Sequence, residues 1–233
     1  MKGVAARRDA LEEAVARVAA GGLVAFPTET IWGLAADARS ETAVARLRTW
    51  KRRADDQPLS VLVTGVHALP ALGVEVGRLA RELADTFWPG PLTMVLPCSG
   101  RFATGVAGAG GALGVRCSPH PVAASLARAL EAEGVGPITA TSLNRHGEAP
   151  ARNRSEALRA CSQGDPAKPS GSSAAEPSGS SGEPPLLFLG DGLDAGGGRP
   201  STVVDLTGER PKVLRWGALG HDFLTPLLRG SMG

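Results

Sequence analysis

Lys51 and Arg53 set two cations two residues apart at the predicted end of a helix, where a point charge and a planar guanidinium can clamp phosphates. Upstream, Pro27-Thr28-Glu29-Thr30-Ile31-Trp32-Gly33-Leu34 turns the apolar run Leu23 to Phe26 into hydroxyl, carboxylate and aromatic side chains, the kind of strand end that hands polar groups to a ligand. Arg116 closes another apolar stretch ahead of Cys117-Ser118-Pro119-His120-Pro121, and a guanidinium there suits either a structural salt bridge or a bound carboxylate. Thr141-Ser142-Leu143-Asn144 places a hydroxyl and an amide at a predicted strand end. Arg199-Pro200-Ser201-Thr202-Val203-Val204-Asp205 and Leu214-Arg215-Trp216-Gly217 add hydroxyls and two further arginines. Such a set binds charged small molecules and positions them. It offers no covalent nucleophile: His67, His120, His146 and His221 are scattered without an HExxH pattern or a cysteine partner. The glycine-rich stretch Gly105 to Gly114 contains neither GxGxxG nor a phosphate-binding P-loop.

The elements that must carry these groups are legible from periodicity. Asp9 and Glu12 resemble a capping pair, and Leu11, Ala14, Val15 and Val18 repeat at helical spacing until Gly21-Gly22. Strand Leu23 to Phe26 follows. Ser40 caps a second helix lined by Ala43, Val44 and Leu47, with Lys51 and Arg53 at its C-terminal end. Leu59 to Val63 reads as a buried strand, and Val76 to Phe87 as a helix ended by Trp88-Pro89-Gly90-Pro91. Strands are expected at Leu92 to Leu96, Ala112 to Arg116 and Pro137 to Thr141, and helices at Pro121 to Glu133 and Arg154 to Cys161. Short strands at Leu186 to Leu189, Thr202 to Leu206 and Lys212 to Arg215 complete the pattern. Helices alternating with strands early, then strands in succession, predict an α/β fold: a twisted mixed β-sheet flanked by helices. Taken alone, Glu29 and Trp32 read as the turn after a strand.

At 233 residues the chain suits one sizeable domain, 1–233. Residues 162–185 are Ser, Gly, Pro, Ala and a few charges, too poor in apolar groups to offset their ordering entropy, and read as a flexible low-complexity insertion. The 25 basic and 23 acidic side chains leave a formal charge of +2, too little for a nucleic-acid coat, so any basic surface must be local. Cys98, Cys117 and Cys161 lie outside any disulfide framework or zinc-ligand spacing, which points to a reducing cytoplasm. No run approaches the ~18 apolar residues of a membrane span, so a soluble, cytoplasmic protein without membrane contact is expected.

The segments around Pro27 to Leu34, Lys51 to Leu59, Thr141 to Asn144 and Arg199 to Asp205 occur in the order and with the residue types of the YrdC-like family of threonylcarbamoyl-adenylate synthases, which this chain resembles from about Gly21 to Leu219. The resemblance implies a nucleotidyltransferase that makes threonylcarbamoyl-AMP and pyrophosphate from L-threonine, bicarbonate and ATP. A separate transferase complex would then use the product for N6-threonylcarbamoyladenosine modification of tRNA. It implies Thr28, Arg116, the backbone at Ala140, and Ser201 as the L-threonine site. Lys51, Arg53, Gln57, Ser142, Asn144 and Arg215 become the ATP site. Magnesium would arrive with the ATP phosphates and keep mostly water ligands, with no metal cage of protein side chains. The chain is expected to be the short, single-domain form. It departs from the family pattern at Gln57, often asparagine, at Leu143, usually alanine, and at Trp216, usually proline.

Two other readings stand beside this one. A concave basic surface also suits a non-catalytic RNA-binding module, or weak RNA contact by the enzyme itself. Aromatics are 4% of the chain and tyrosine is absent, so a base-stacking platform has little support. The other reading is supply of a carbamoyl-adenylate to a different acceptor.

Overall fold

A computed structural model of the chain describes residues 2–52, 58–108, 110–162, 184–188, 194–196 and 198–230. Arg53, Gln57, Leu189 and residues 163–183 of the anticipated insertion lie outside the described residues. Helix α1 spans Lys2–Ala19, strand β1 Val24–Phe26 and strand β2 Gly33–Ala35. β2 returns antiparallel to β1 with Gly33 opposite Phe26. A Cβ at Gly33 would come within 2.8 Å of the Phe26 ring, so the pairing requires glycine there. β2 carries no sequence pattern of its own, because three residues show no periodicity.

Helix α2, Glu41–Lys51, starts where expected: Ser40 Oγ accepts the Ala43 N–H at 3.2 Å. It ends at Arg52 in the left-handed region, φ 52, whose N–H donates to the Arg48 and Thr49 carbonyls. Strand β3, Val61–Leu62, helix α3, Arg78–Phe87, and the hairpin of β4, Leu92–Pro97, with β5, Ala112–Arg116, follow. Helix α4 is Pro121–Ala132. Strands β6, Ile138–Thr139, and β7, Thr141–Ser142, lead to helix α5, Arg154–Ser162. Strand β8, Leu186–Leu187, strand β9, Thr202–Asp205, strand β10, Lys212–Arg215, and helix α6, His221–Gly230, complete the described elements.

The mixed β-structure is divided between two sheets, ordered β7-β2-β1-β8 and β10-β9-β4-β5-β3-β6. The stretch read as one strand from Pro137 to Thr141 is the seam. Ile138 and Thr139 pair with β3, Thr141 and Ser142 pair with β2, and Ala140 between them donates its N–H to Ser60 O at 2.7 Å. Helices α1 and α4 bury Ala14, Val18, Val122 and Leu126 with Val24 and Phe26. The larger core gathers Trp32, Leu34, Leu47, Val61, Met94, Leu113 and Leu143. Leu143, large where the related motif is small, is fully buried in it.

Candidate active site

A cleft of about 570 Å³ lies where the two sheets meet. One wall is a cross-strand row of the larger sheet, because register sets Arg215 beside Val203, Val203 beside Thr93, and Thr93 beside Arg116. Arg215 joins that row through an irregularity. β10 pairs Val213 with Val204 and then Arg215 with Val203, so Leu214 is an extra residue and the strand bulges. Bulges of this kind re-aim a side chain beside a site. Eight of the ten anticipated residues line the cleft: Thr28, Lys51, Arg116, Ala140, Ser142, Asn144, Ser201 and Arg215.

At one end stands Arg116, 7% exposed. Its Nη2 donates to Glu29 Oε1 and to Thr30 Oγ1, both at 2.7 Å. This arginine therefore both lines the cleft and forms a salt bridge. Thr28 stands at the wall with its hydroxyl turned into its own loop. Thr28 Oγ1 donates to Ile31 O at 2.7 Å and receives the Thr30 N–H at 3.2 Å, with Thr30 Oγ1 a further 2.9 Å partner. Ser201 Oγ lies 2.8 Å from Thr93 Oγ1 and 3.3 Å from Arg215 Nη2. Partial burial, and then the positive charge of Arg116, hold the Arg215 guanidinium below its ordinary pKa. Arg116 and Arg215 thus stand together in one part of a cleft that Lys51 also lines, an arrangement that favours anionic ligands.

At the other end Lys51 is 3% exposed, unlike the solvated helix end that basic pairs usually form. Its ammonium donates to Ser142 O, to Asn144 O at 3.0 Å and to Asn144 Oδ1 at 3.3 Å. Ser142 Oγ donates to Asn144 Oδ1 at 2.6 Å, while Asn144 Nδ2 reaches Arg145 O and Glu148 O. The hydroxyl, amide and ammonium form one unit rather than three separate contacts.

Several residues that organise the site lie outside the anticipated set. Glu29, read as a turn residue, is the carboxylate partner of Arg116. Thr93 was only a strand position. Ser60 lines the cleft and donates to Ala140 O at 3.2 Å. Asp194 accepts the Trp32 indole N–H and the Arg154 N–H, each at 2.8 Å, across the fold. Burial works to raise its carboxyl pKa, but these hydrogen bonds, that of Ala195 N–H and the charge of Arg154 outweigh it and hold the pKa below the ordinary value. Beyond Asp194, Gly196 N–H donates to Thr28 O and Gly198 N–H to Thr30 O, both at 3.0 Å, so this segment straps the loop that carries Thr28. A Cβ at Gly196 would fall 2.0 Å from Glu29 O.

The family model Sua5_yciO_yrdC, described as "Telomere recombination", matches residues 16–167. A threonylcarbamoyl-AMP synthase of Xanthomonas campestris is 43% identical over 150 residues, which cover 62% of this chain and 76% of that protein. One from Xanthomonas oryzae is 42% identical over 147 residues with the same coverage. Among solved structures, P. abyssi Sua5 complexed with L-threonine superposes with a TM-score of 0.76 at 30% identity, over 94% of this chain and 57% of that one. This chain therefore spans less than two thirds of that protein's length. E. coli YciO, at 20% identity and a TM-score of 0.67, shares the fold over 92% of this chain. With a model match over more than half of its length and relatives above 40% identity, the chain belongs to the Sua5/YciO/YrdC family.

Proposed function

We propose that this chain is an L-threonylcarbamoyladenylate synthase, condensing L-threonine, bicarbonate and ATP into threonylcarbamoyl-AMP and pyrophosphate. The observation that carries the reading is convergence: eight residues chosen from separated motifs line one cleft, of a size typical for small-molecule sites. The names of the Xanthomonas relatives and the threonine complex of P. abyssi Sua5 support it.

The threonine amine attacks the carbon of bicarbonate, a C–O bond breaks with loss of water to give N-carboxy-threonine, and the carbamate oxygen of that species attacks the α-phosphorus of ATP. A carboxylate oxygen–phosphorus bond forms, the bond to the β-phosphate bridge breaks, and pyrophosphate leaves with its electron pair. No covalent intermediate is needed, and positioning with charge stabilisation suffices. Arg116, Ser201 and the backbone at Ala140 hold threonine, with Thr28 at the wall, where a direct hydroxyl contact exchanges its bond to Ile31 O. Ser142, Asn144 and Arg215 hold the nucleotide, with Arg53 and Gln57 adding to its site. Lys51 shapes the Ser142–Asn144 turn and brings positive charge to it. Magnesium enters as part of the ATP substrate, and the product passes to a separate tRNA-modifying transferase. Among the described residues no helix is long and apolar enough to cross a membrane, and a cytoplasmic setting fits the reading.

The deciding experiment measures pyrophosphate release by the purified protein. Release that requires threonine and bicarbonate together is expected. Release from ATP with neither, or none with both, counts against the reading.

A further inference from the structure

We propose that Glu29 is a positioning residue that acts through Arg116, fixing which donor of the guanidinium meets the carboxylate of the bound amino acid. The inference rests on the threonine-binding reading of Arg116 given above. An Nη nitrogen carries two hydrogens, and Glu29 Oε1 and Thr30 Oγ1 engage both of those on Nη2. Nε is buried and has no hydrogen-bond partner among the described residues. Nη1 is the donor that remains for the cleft that Arg116 lines. In this state the arginine offers a carboxylate a single nitrogen, Nη1, not the two-nitrogen fork expected of a bidentate pair.

Glu29 is itself held on three sides. Ser118 Oγ donates to its Oε2. The backbone on either side is strapped by the Gly196 and Gly198 N–H groups, and Gly196 packs too closely on Glu29 O to accept a side chain. The carboxylate also counters a positive neighbourhood, since burial, and then the field of Arg116, hold the Arg215 pKa below its ordinary value. Loss of the negative charge leaves the buried Arg116 facing Arg215 without its counter-ion and free to turn about its side-chain torsions. The threonine end of the cleft then loses its orientation, whereas the Lys51–Asn144 unit, held by the bonds of the ammonium to Ser142 O and Asn144, keeps its own.

The test compares the parent with Glu29→Gln, which keeps the shape and removes the charge, in pyrophosphate-release kinetics with each substrate varied. The Michaelis constant for threonine should rise about tenfold or more, the scale of one charge-assisted hydrogen bond, while that for ATP stays within about twofold by the same reasoning. Ser118→Ala, which loosens Glu29 without removing its charge, should move the threonine constant in the same direction by less, and it stands in should the glutamine variant fail to fold. A folded Glu29→Gln protein with an unchanged threonine constant, or with both constants rising together, overturns the proposal. A parent that releases no threonine-dependent pyrophosphate overturns the underlying reading instead, so the two failures are distinct.

Discussion

Arg215 is folded down onto Ser201: its Nη2 and Nε donate to the Ser201 carbonyl oxygen at 2.9 and 3.2 Å, and Nη2 also reaches the hydroxyl at 3.3 Å. The resemblance assigns these residues to different ligands, Ser201 to threonine and Arg215 to ATP. The structure joins them, and the cross-strand row extends the joint through Thr93 to Arg116. A change at Arg215 therefore bears on Ser201 as well, through the hydrogen bonds that join them directly.

Arg215→Ala is expected to raise the Michaelis constants for both ATP and threonine and to lower kcat/KM by about 10- to 100-fold for each, the range of one or two charged hydrogen bonds. Steady-state pyrophosphate release with each substrate varied in turn measures it. A change confined to ATP would show that the joint with Ser201 transmits nothing.

Lys51→Met should damage stability and activity together. An exposed cation at a helix end contributes little to folding, but Lys51 is buried and its ammonium bonds the turn from Ser142 to Asn144. Leaving these part-buried carbonyl groups unpaired costs at most about 1–3 kcal/mol, which corresponds to a drop in melting temperature of at most about 2–10 °C for a chain of this size. Calorimetric melting and the apparent constant for ATP should both worsen. A normal melting temperature with lost turnover would instead assign Lys51 to the phosphates alone.

The contrast between Lys51 and Arg215 shows what a one-dimensional reading can reach. Helix and strand periodicity located α2, the β4–β5 hairpin and the side chains at their ends, because amphipathic spacing is local. Register is not local. The switch of sheets at Ala140, the bulge at Leu214 and the 162-residue separation of Trp32 from Asp194 each depend on which segments meet in space. The role of Glu29 is non-local for the same reason. Beside Thr28 it looks like a turn residue, and only the approach of β5 gives it Arg116 as a partner.

Leu143→Ala separates fold from site. The side chain is fully buried in the main core, while its N–H donates to Trp32 O and its carbonyl accepts from Ala151 N–H. Truncating a buried leucine costs about 2–5 kcal/mol, or roughly 5–15 °C in melting temperature. The backbone bonds and the grip of Lys51 on the turn survive the change, so substrate constants below the melting range should stay near those of the parent. Their deterioration by tenfold or more would mean that the core leucine, and not Lys51, sets the geometry of Ser142 and Asn144.

Cys161 yields a prediction for alkaline pH. It is buried on α5, and burial pushes its thiol pKa from 9.0 up to about 12. Because the folded value lies above the unfolded one, the contribution to stability is intact below about pH 9 and is lost as pH rises toward 12. In that window the unfolded chain releases the proton first, so stability falls by at most about 1.4 kcal/mol per pH unit from this one group. Cys117 also has a raised pKa, from burial and then the nearby Glu29, so the parent curve contains more than one contribution. Cys161→Ala isolates one of them. Urea unfolding at several pH values from 8 to 11 should show the parent losing stability faster than the variant above pH 9, with the two curves parallel below it. Parallel curves across the whole range would mean that the Cys161 thiol ionises as readily in the folded protein as in the unfolded chain.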